Sequence, residues 1–289
     1  MLAFGVLAVS FSAVLVRLAG DADAPAFAIA FYRCAFSAAI LDPLALVLHR
    51  DELRSLSRRR WLLLLGSGVA LAAHFATWIP SVNLTTIAAS AVLVQTMPVW
   101  VALLGRLLGE RTTRGAWIGV VVALVGTLVI SGGGFEGGGR AIAGDLLAVA
   151  GAIFAAAYVL LGRSLRQEIS VTTYTGVVYS ISAVVLAGVM LVAGTPFTGF
   201  EPKVWLLFLA ITAGPQLGGH TVFNYLLEHL RAQVVAVALL AEPVGATILA
   251  YVILRETPGV LTLVGGVVVL VGVYLAIRAE AAVAVPPVE

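Results

Sequence analysis

Long apolar runs, separated by short charged or Gly/Pro-rich breaks, dominate the chain from its first residues. Crossing a hydrocarbon core about 30 Å thick takes ~20 residues of apolar helix. Runs of that length lie at 2–19, 25–48, 61–80, 85–107, 115–131, 144–162, 171–193, 204–226, 232–254 and 259–277. The pattern predicts ten transmembrane helices. Barrel strands would alternate apolar and polar residues over ~10-residue segments, whereas these runs are continuous. Residues 279–289, with Pro286-Pro287, read as a flexible tail. Ala22-Asp23-Ala24 has the form of a signal-peptidase site, but no basic residue precedes the apolar stretch, which is long for a signal peptide. We therefore read 2–19 as a retained span.

Composition agrees: 61% of residues are hydrophobic and 11% charged, against about 25% charged in soluble domains. The one cysteine, Cys34, excludes a disulfide framework or thiolate metal cluster. A net charge of +2, with basic residues scattered over connectors, makes no nucleic-acid surface. With the N-terminus inside, twelve Arg fall on inner connectors (50, 54, 58, 59, 60, 106, 111, 114, 163, 166, 231 and 278), against Arg17, Arg140, Lys203 and Arg255 outside. This asymmetry predicts an inner (plasma) membrane protein with both termini cytoplasmic.

A shift of 146 residues superposes GVVVALVG (Gly119 to Gly126) on GGVVVLVG (Gly265 to Gly272), Glu110 on Glu256, His74 on His220, Arg17 on Arg163 and Gly5 on Gly151. Apolar low complexity explains the valines but not the His, Glu and Gly pairs at one offset. An odd number of helices per copy inverts the second copy in the membrane. The expected fold is an all-α membrane protein of ten transmembrane helices as two inverted five-helix repeats. The first repeat is 1–131, a Gly-rich linker is 132–143, the second repeat is 144–278 and the tail is 279–289.

The segment HFATWIPSVNLTTIAASAVLVQTMPVWVALL with its following GER, the matching GGHTVFNYLLEHL and LLAEPVGATILAYVILRE, and the two glycine-rich closing helices resemble the EamA-type family of the drug/metabolite transporter superfamily. The likeness covers essentially the whole chain. One departure is that Pro98 precedes Glu110 by twelve residues and Pro243 precedes Glu256 by thirteen. The resemblance implies a ten-helix secondary carrier that moves small metabolites or drugs, commonly outward, with amino acids and their relatives first among substrates.

Residue chemistry points to the same region. Inverted-repeat carriers bind substrate near the midplane, beside helices interrupted by Gly or Pro. Pro98, Pro215 and Pro243 interrupt the fourth, eighth and ninth spans, each removing a donor and freeing a carbonyl. They are the expected hinge or kink positions. Gln216, His220 and Asn224 recur every four residues on the eighth span, His74 and Trp78 are their equivalents on the third, Gln95 lies on the fourth and Glu242 on the ninth. With Tyr158 of the sixth span they form the expected cavity set. An intramembrane acid is costly, ~2.5–3.5 kcal/mol on insertion scales, and so faces the bundle interior. Each residue also has a plain alternative. The histidines, Gln216 and Asn224 serve equally as interhelical hydrogen-bonding groups, and Trp78 as an interfacial anchor. Glu242 could be a protonated acid bonding a carbonyl freed by Pro243. Arg33 is expected to pair with a helix end or snorkel, with a direct substrate contact as the lesser alternative, and Asp42 to be solvated at the inner interface. Gly115, Gly119, Gly265, Gly266 and Gly272 suit close helix packing in scaffold helices away from the cavity.

The sequence has no His-Glu-x-x-His, Gly-x-Ser-x-Gly or Cys-x-x-Cys, and no ring of like charges suited to a pore. This disfavours an intramembrane enzyme, a metal site and a channel, and no cofactor is implied. SGGGFEGGG, Ser131 to Gly139, lacks a Walker Lys-Ser/Thr and reads as a linker, which argues against ATP as the energy source. Asn83-Leu84-Thr85 is a sequon of the kind that arises by chance. The expected partners are a small-molecule substrate and the lipid bilayer, with a proton as candidate coupling ion; monomer and homodimer both fit, as does an uptake carrier or facilitator.

Overall fold

The structure, a computed structural model, describes residues 1–85, 90, 93–107, 109, 112–130, 138–254, 257 and 259–284. Glu110, Glu256 and most of the Gly-rich linker lie outside the described residues. Among the described residues, eight helices are long and apolar enough to cross a membrane: Leu2–Gly20, Ala26–Leu48, Arg58–Val82, Gly139–Arg166, Val171–Ala193, Pro202–Leu226, Ala232–Ile253 and Leu263–Glu280. The fourth and fifth predicted spans are present as the shorter apolar helices Met97–Leu107 and Arg114–Ile130. In chain order these ten segments are called the first to the tenth span. A short helix, Arg50–Ser55, joins the second to the third.

The helix ends follow local chemistry. Ser57 and Ser170 cap the third and seventh spans, their hydroxyls accepting the N–H groups of Arg60 and Thr173. Gly194, left-handed at φ 65°, closes the seventh span by returning its N–H to Leu191 and Met190 carbonyls. Pro202 opens the eighth span at its first turn, where its missing N–H has no helical partner to lose.

Pro98 and Pro243 stand in the first turn of a helix that follows a break, and Pro215 stands on irregular backbone. The fourth span breaks at Gln95–Thr96 ahead of Pro98, and the ninth at Leu240–Ala241 ahead of Pro243. Pro215 lies in a π-helical stretch, Thr212–His220, inside the eighth span. Pro43 and Pro80, by contrast, sit within helices that run on through them.

Two predicted boundaries are corrected. The sixth span begins at Gly139, so the end of the predicted linker 132–143 is helical; Arg140 stays exposed in its first turn, so no charge is buried by the extension. The tenth span runs on to Ala284, so 279–284 is not a flexible tail. Glu280 is the reason: it is buried, pairs with Arg231 at 2.5 Å and accepts the Thr113 N–H at 3.0 Å.

Helices pair mostly across the two halves of the chain: first with eighth and ninth, sixth with third and fourth, second with seventh, and fifth with tenth. Exchanging the halves maps this set of pairs onto itself. The fifth–tenth contact is backbone against backbone. A Cβ on Gly119 would lie 2.5 Å from Ala276 Cβ, one on Gly126 2.6 Å from the Val269 nitrogen, and one on Gly272 2.4 Å from the Ala123 nitrogen. Gly266 is not part of this close approach, its nearest neighbour being Val244 at 3.8 Å. Small residues are the way lipid-embedded helices gain contact area, because lipid tails give apolar side chains no reason to leave them.

Gly272→Val should therefore force these two helices apart and cost about 1–3 kcal/mol, measured as a lower unfolding midpoint in detergent. Gly188→Ala, where nothing lies within 4 Å of the new Cβ, should leave that midpoint unchanged or raise it slightly.

Candidate functional site

Between the two halves lies a cavity of about 80 Å³, whose walls come from the first, third, fourth, sixth, eighth and ninth spans. Seven of the eight residues singled out by sequence line it: His74, Trp78, Gln95, Tyr158, His220, Asn224 and Glu242. Val9 and Ser12 of the first span also contribute, together with Phe223 and Leu239. Small or apolar, these residues carry no sequence signal that separates a cavity wall from lipid-facing or packed positions.

Each polar side chain is oriented by a second contact. His74 Nδ1 lies 2.9 Å from the Gly151 carbonyl. A carbonyl only accepts, so Nδ1 carries the proton of this bond. Trp78 stacks on His74 with ring centroids 5.8 Å apart and planes 3° from parallel. It is thus part of the cavity wall and not solely an interfacial anchor. Gly151 makes room for both, since a Cβ there would lie 3.1 Å from Trp78 Cβ. Asn224 Nδ2 donates to Tyr158 Oη at 2.5 Å and to Tyr179 Oη at 3.4 Å.

Glu242 starts the second part of the ninth span, directly after the break. Gln95 Nε2 donates to Glu242 Oε2 at 3.3 Å, so the residues beside the two helix breaks meet across the cavity. Ser10 Oγ donates to the Glu242 carbonyl at 3.2 Å, and Gly245 lets the first span approach this closely. The observed side-chain partner of Glu242 is the Gln95 amide, not a backbone carbonyl freed by Pro243.

Gln216 stands apart from the cavity. Its Oε1 accepts from Arg33 Nε at 2.7 Å, because a guanidinium buried in a helix bundle draws the nearest strong acceptor. Arg33 itself corrects expectation: it neither snorkels nor caps a helix end but is buried, with Cζ 4.0 Å from the Phe75 ring centroid. Asp42 is likewise not simply solvated. Half-buried against Gly176, it accepts a 2.5 Å hydrogen bond from Ser180 Oγ of the seventh span.

Leu227, Val235 and Val159 of the lining are buried. Beyond them Arg166 is paired with Glu228, and Arg163 Nη1 donates to the Leu227 carbonyl at 2.6 Å and the Glu228 carbonyl at 3.0 Å. Arginine here satisfies carbonyls left over at the end of the eighth span. Among the described residues the lining contains no Arg or Lys, and its only carboxylate is Glu242. Among the described residues no three His, Cys, Asp or Glu side chains converge as a metal would require.

The EamA-like transporter family model matches residues 1–132 and 142–278, nearly the whole chain. The chain belongs to the EamA-like transporter family. An Archaeoglobus fulgidus protein named only as an uncharacterized transporter is 28% identical to this EamA-like protein over 282 residues, 95% of each chain. A second uncharacterized transporter of that organism is 28% identical over 196 residues, covering 65% of this chain and 67% of its own. A protein of known crystal structure superposes with a TM-score of 0.80 at 19% identity, over 97% of this chain and 96% of that one. At that identity the likeness concerns the fold alone. Family and relatives together identify a multi-pass membrane protein of the transporter type and not an enzyme family.

Tyr158→Phe should leave Asn224 with only its longer bond to Tyr179. The expected loss is about 0.6–1.7 kcal/mol of stability, read as a lower melting temperature in detergent, without loss of helicity by circular dichroism.

Proposed function

We propose that this protein is a secondary carrier that moves a small amphipathic metabolite, amino acids and their relatives first, outward across the inner membrane by alternating access. The observation that carries the reading is the cavity itself. Both halves of the chain wall it, its polar groups converge from equivalent third and eighth spans and from the broken fourth and ninth spans, and one intramembrane acid faces it. The exchangeable pairing of helices between halves supports two inverted five-helix units, and the arginine asymmetry of the connectors supports both termini being cytoplasmic.

In this mechanism the half-bundles rock about the breaks at Pro98, Pro215 and Pro243. At each break irregular backbone replaces the rigid helix ladder, and a change of φ/ψ there is absorbed locally. Leu227 and Val235, together with the Arg166–Glu228 pair, form the cytoplasmic gate in this mechanism. Stacked His74 and Trp78, with Asn224 and Tyr158, suit a moderately polar solute with an aromatic or aliphatic body. With no cationic side chain in the lining, polyphosphates are disfavoured. Glu242 is the candidate proton carrier, because an acid in a cavity that opens alternately to two solutions meets each of their pH values in turn.

Three measurements test these statements. Cysteines at Glu110 and Glu256 should label with an impermeant maleimide from opposite sides of the membrane; labelling from the same side removes the inverted arrangement. The native Cys34 is buried and contributes little background. Glu228→Gln should weaken the cytoplasmic gate and raise by severalfold the rate at which Val235→Cys is labelled from the cytoplasmic side. Liposomes carrying Glu242→Gln should still take up substrate down its gradient but lose any response to an imposed pH difference. An unaltered pH response in that variant excludes Glu242 as the proton carrier and leaves facilitated diffusion.

A further inference from the structure

Arg33 is buried, yet its guanidinium uses only one of its three nitrogens. Nε donates to Gln216, while Nη1 and Nη2 are both buried without a hydrogen-bond partner, as is Gln216 Nε2. A charged group taken out of water is tolerated when its donors are met, and unmet charged donors are among the more costly features a folded protein can hold. The bond at Nε fixes the plane of the fork and leaves free its outer edge, where two parallel N–H groups match the two oxygens of a carboxylate.

The position of this fork relates it to the cavity. Phe75, over whose ring the guanidinium sits, is next in sequence to His74, and its ring meets that of His220 edge-on at 5.6 Å. Gln216, which anchors Nε, lies four residues before His220 on the eighth span. Arg33 therefore stands behind the two histidines of the cavity wall, with the Phe75 ring between them. Glu242, the carboxylate of the same region, is held by Gln95 and is not hydrogen-bonded to Arg33. A buried cation thus lies one ring behind the cavity wall, and the acid that faces the cavity is not paired with it.

We propose that Arg33 is a carboxylate-binding subsite of the cavity, reached when the Phe75 ring rotates aside, so that the transported solute carries a carboxylate. The solute's two oxygens accept from Nη1 and Nη2, Gln216 keeps hold of Nε, and an amino group on the same solute is placed toward Glu242. This rests on the carrier reading and narrows its substrates to amphipathic carboxylates, zwitterionic amino acids included. A phosphate monoester would bring a second negative charge, which no other cation in the lining meets.

The test uses the full-length protein in detergent and a matched series: phenylalanine, 3-phenylpropionate, phenylalaninamide and phenethylamine, scored by thermal shift and then by liposome flux. The wild type should bind the two carboxylates about 10–100-fold more tightly than the compounds lacking one, the range expected for a hydrogen-bonded charge pair. Arg33→Gln should abolish that preference while keeping affinity for the amide and amine, which shows that the variant folds; Arg33→Lys should retain part of it. Equal binding of carboxylates and amides by the wild type, no carboxylate-dependent shift at all, or a preference that survives Arg33→Gln overturns the proposal. Saturable flux of amide and amine without carboxylate preference would remove the subsite and leave the carrier. Arg33-dependent binding without flux would do the reverse.

Discussion

Inside a bilayer no water accepts the hydrogen bonds that the protein fails to make, and that constraint organises this molecule. Helices answer it for the backbone, and buried side chains must answer it for themselves. Ser182 donates to the Gly68 carbonyl at 2.8 Å and Ser67 bonds Tyr174 at 2.6 Å, so polar groups inside the bundle also tie one span to another. The same requirement draws Arg33 to Gln216 and Phe75 and places Arg163 on the leftover carbonyls of the eighth span. Where the helix ladder itself is broken, before Pro98 and Pro243 and around Pro215, a largely apolar cavity with a few polar groups lies alongside. The interruptions and the cavity are therefore two aspects of one arrangement.

Packing sets the second condition. Lipid tails are as apolar as leucine, so burying leucine between helices gains little, and close contact must come from shape. The fifth and tenth spans are built on that principle, with Gly119, Gly126 and Gly272 letting backbones touch. They contribute nothing to the cavity wall. The walls come from other helices, which carry His, Trp, Tyr, Asn, Gln and Glu. Rigid contact and open space are divided between different helices, an arrangement suited to moving one half-bundle against another around a fixed pair.

Much of the cavity was legible because its residues are chemically out of place. A histidine, amide or carboxylate in a 20-residue apolar run has to face protein, and the constant offset between His74 and His220 put those residues on equivalent helices before any contact was known. Gln216 shows where that reasoning stops. It shares the four-residue spacing of His220 and Asn224, but a buried guanidinium from another span claims its oxygen. Spacing gives the face of one helix, and it is silent on which neighbour that face meets. Glu280 and Asp42 make the same point: near span ends both look solvated, and both are engaged by side chains far away in sequence.

By itself the sequence determined that the chain spans a membrane many times, where its helices break, and which side chains cannot face lipid, because hydropathy and backbone hydrogen bonding are local properties read residue by residue. Only the tertiary structure decided that the walls of one cavity come from both halves, that Gln95 meets Glu242 across it, and that Arg33 stands behind it with two unused nitrogens. Those facts depend on distances between residues more than a hundred positions apart, and they are set by which helices approach closely enough to pack.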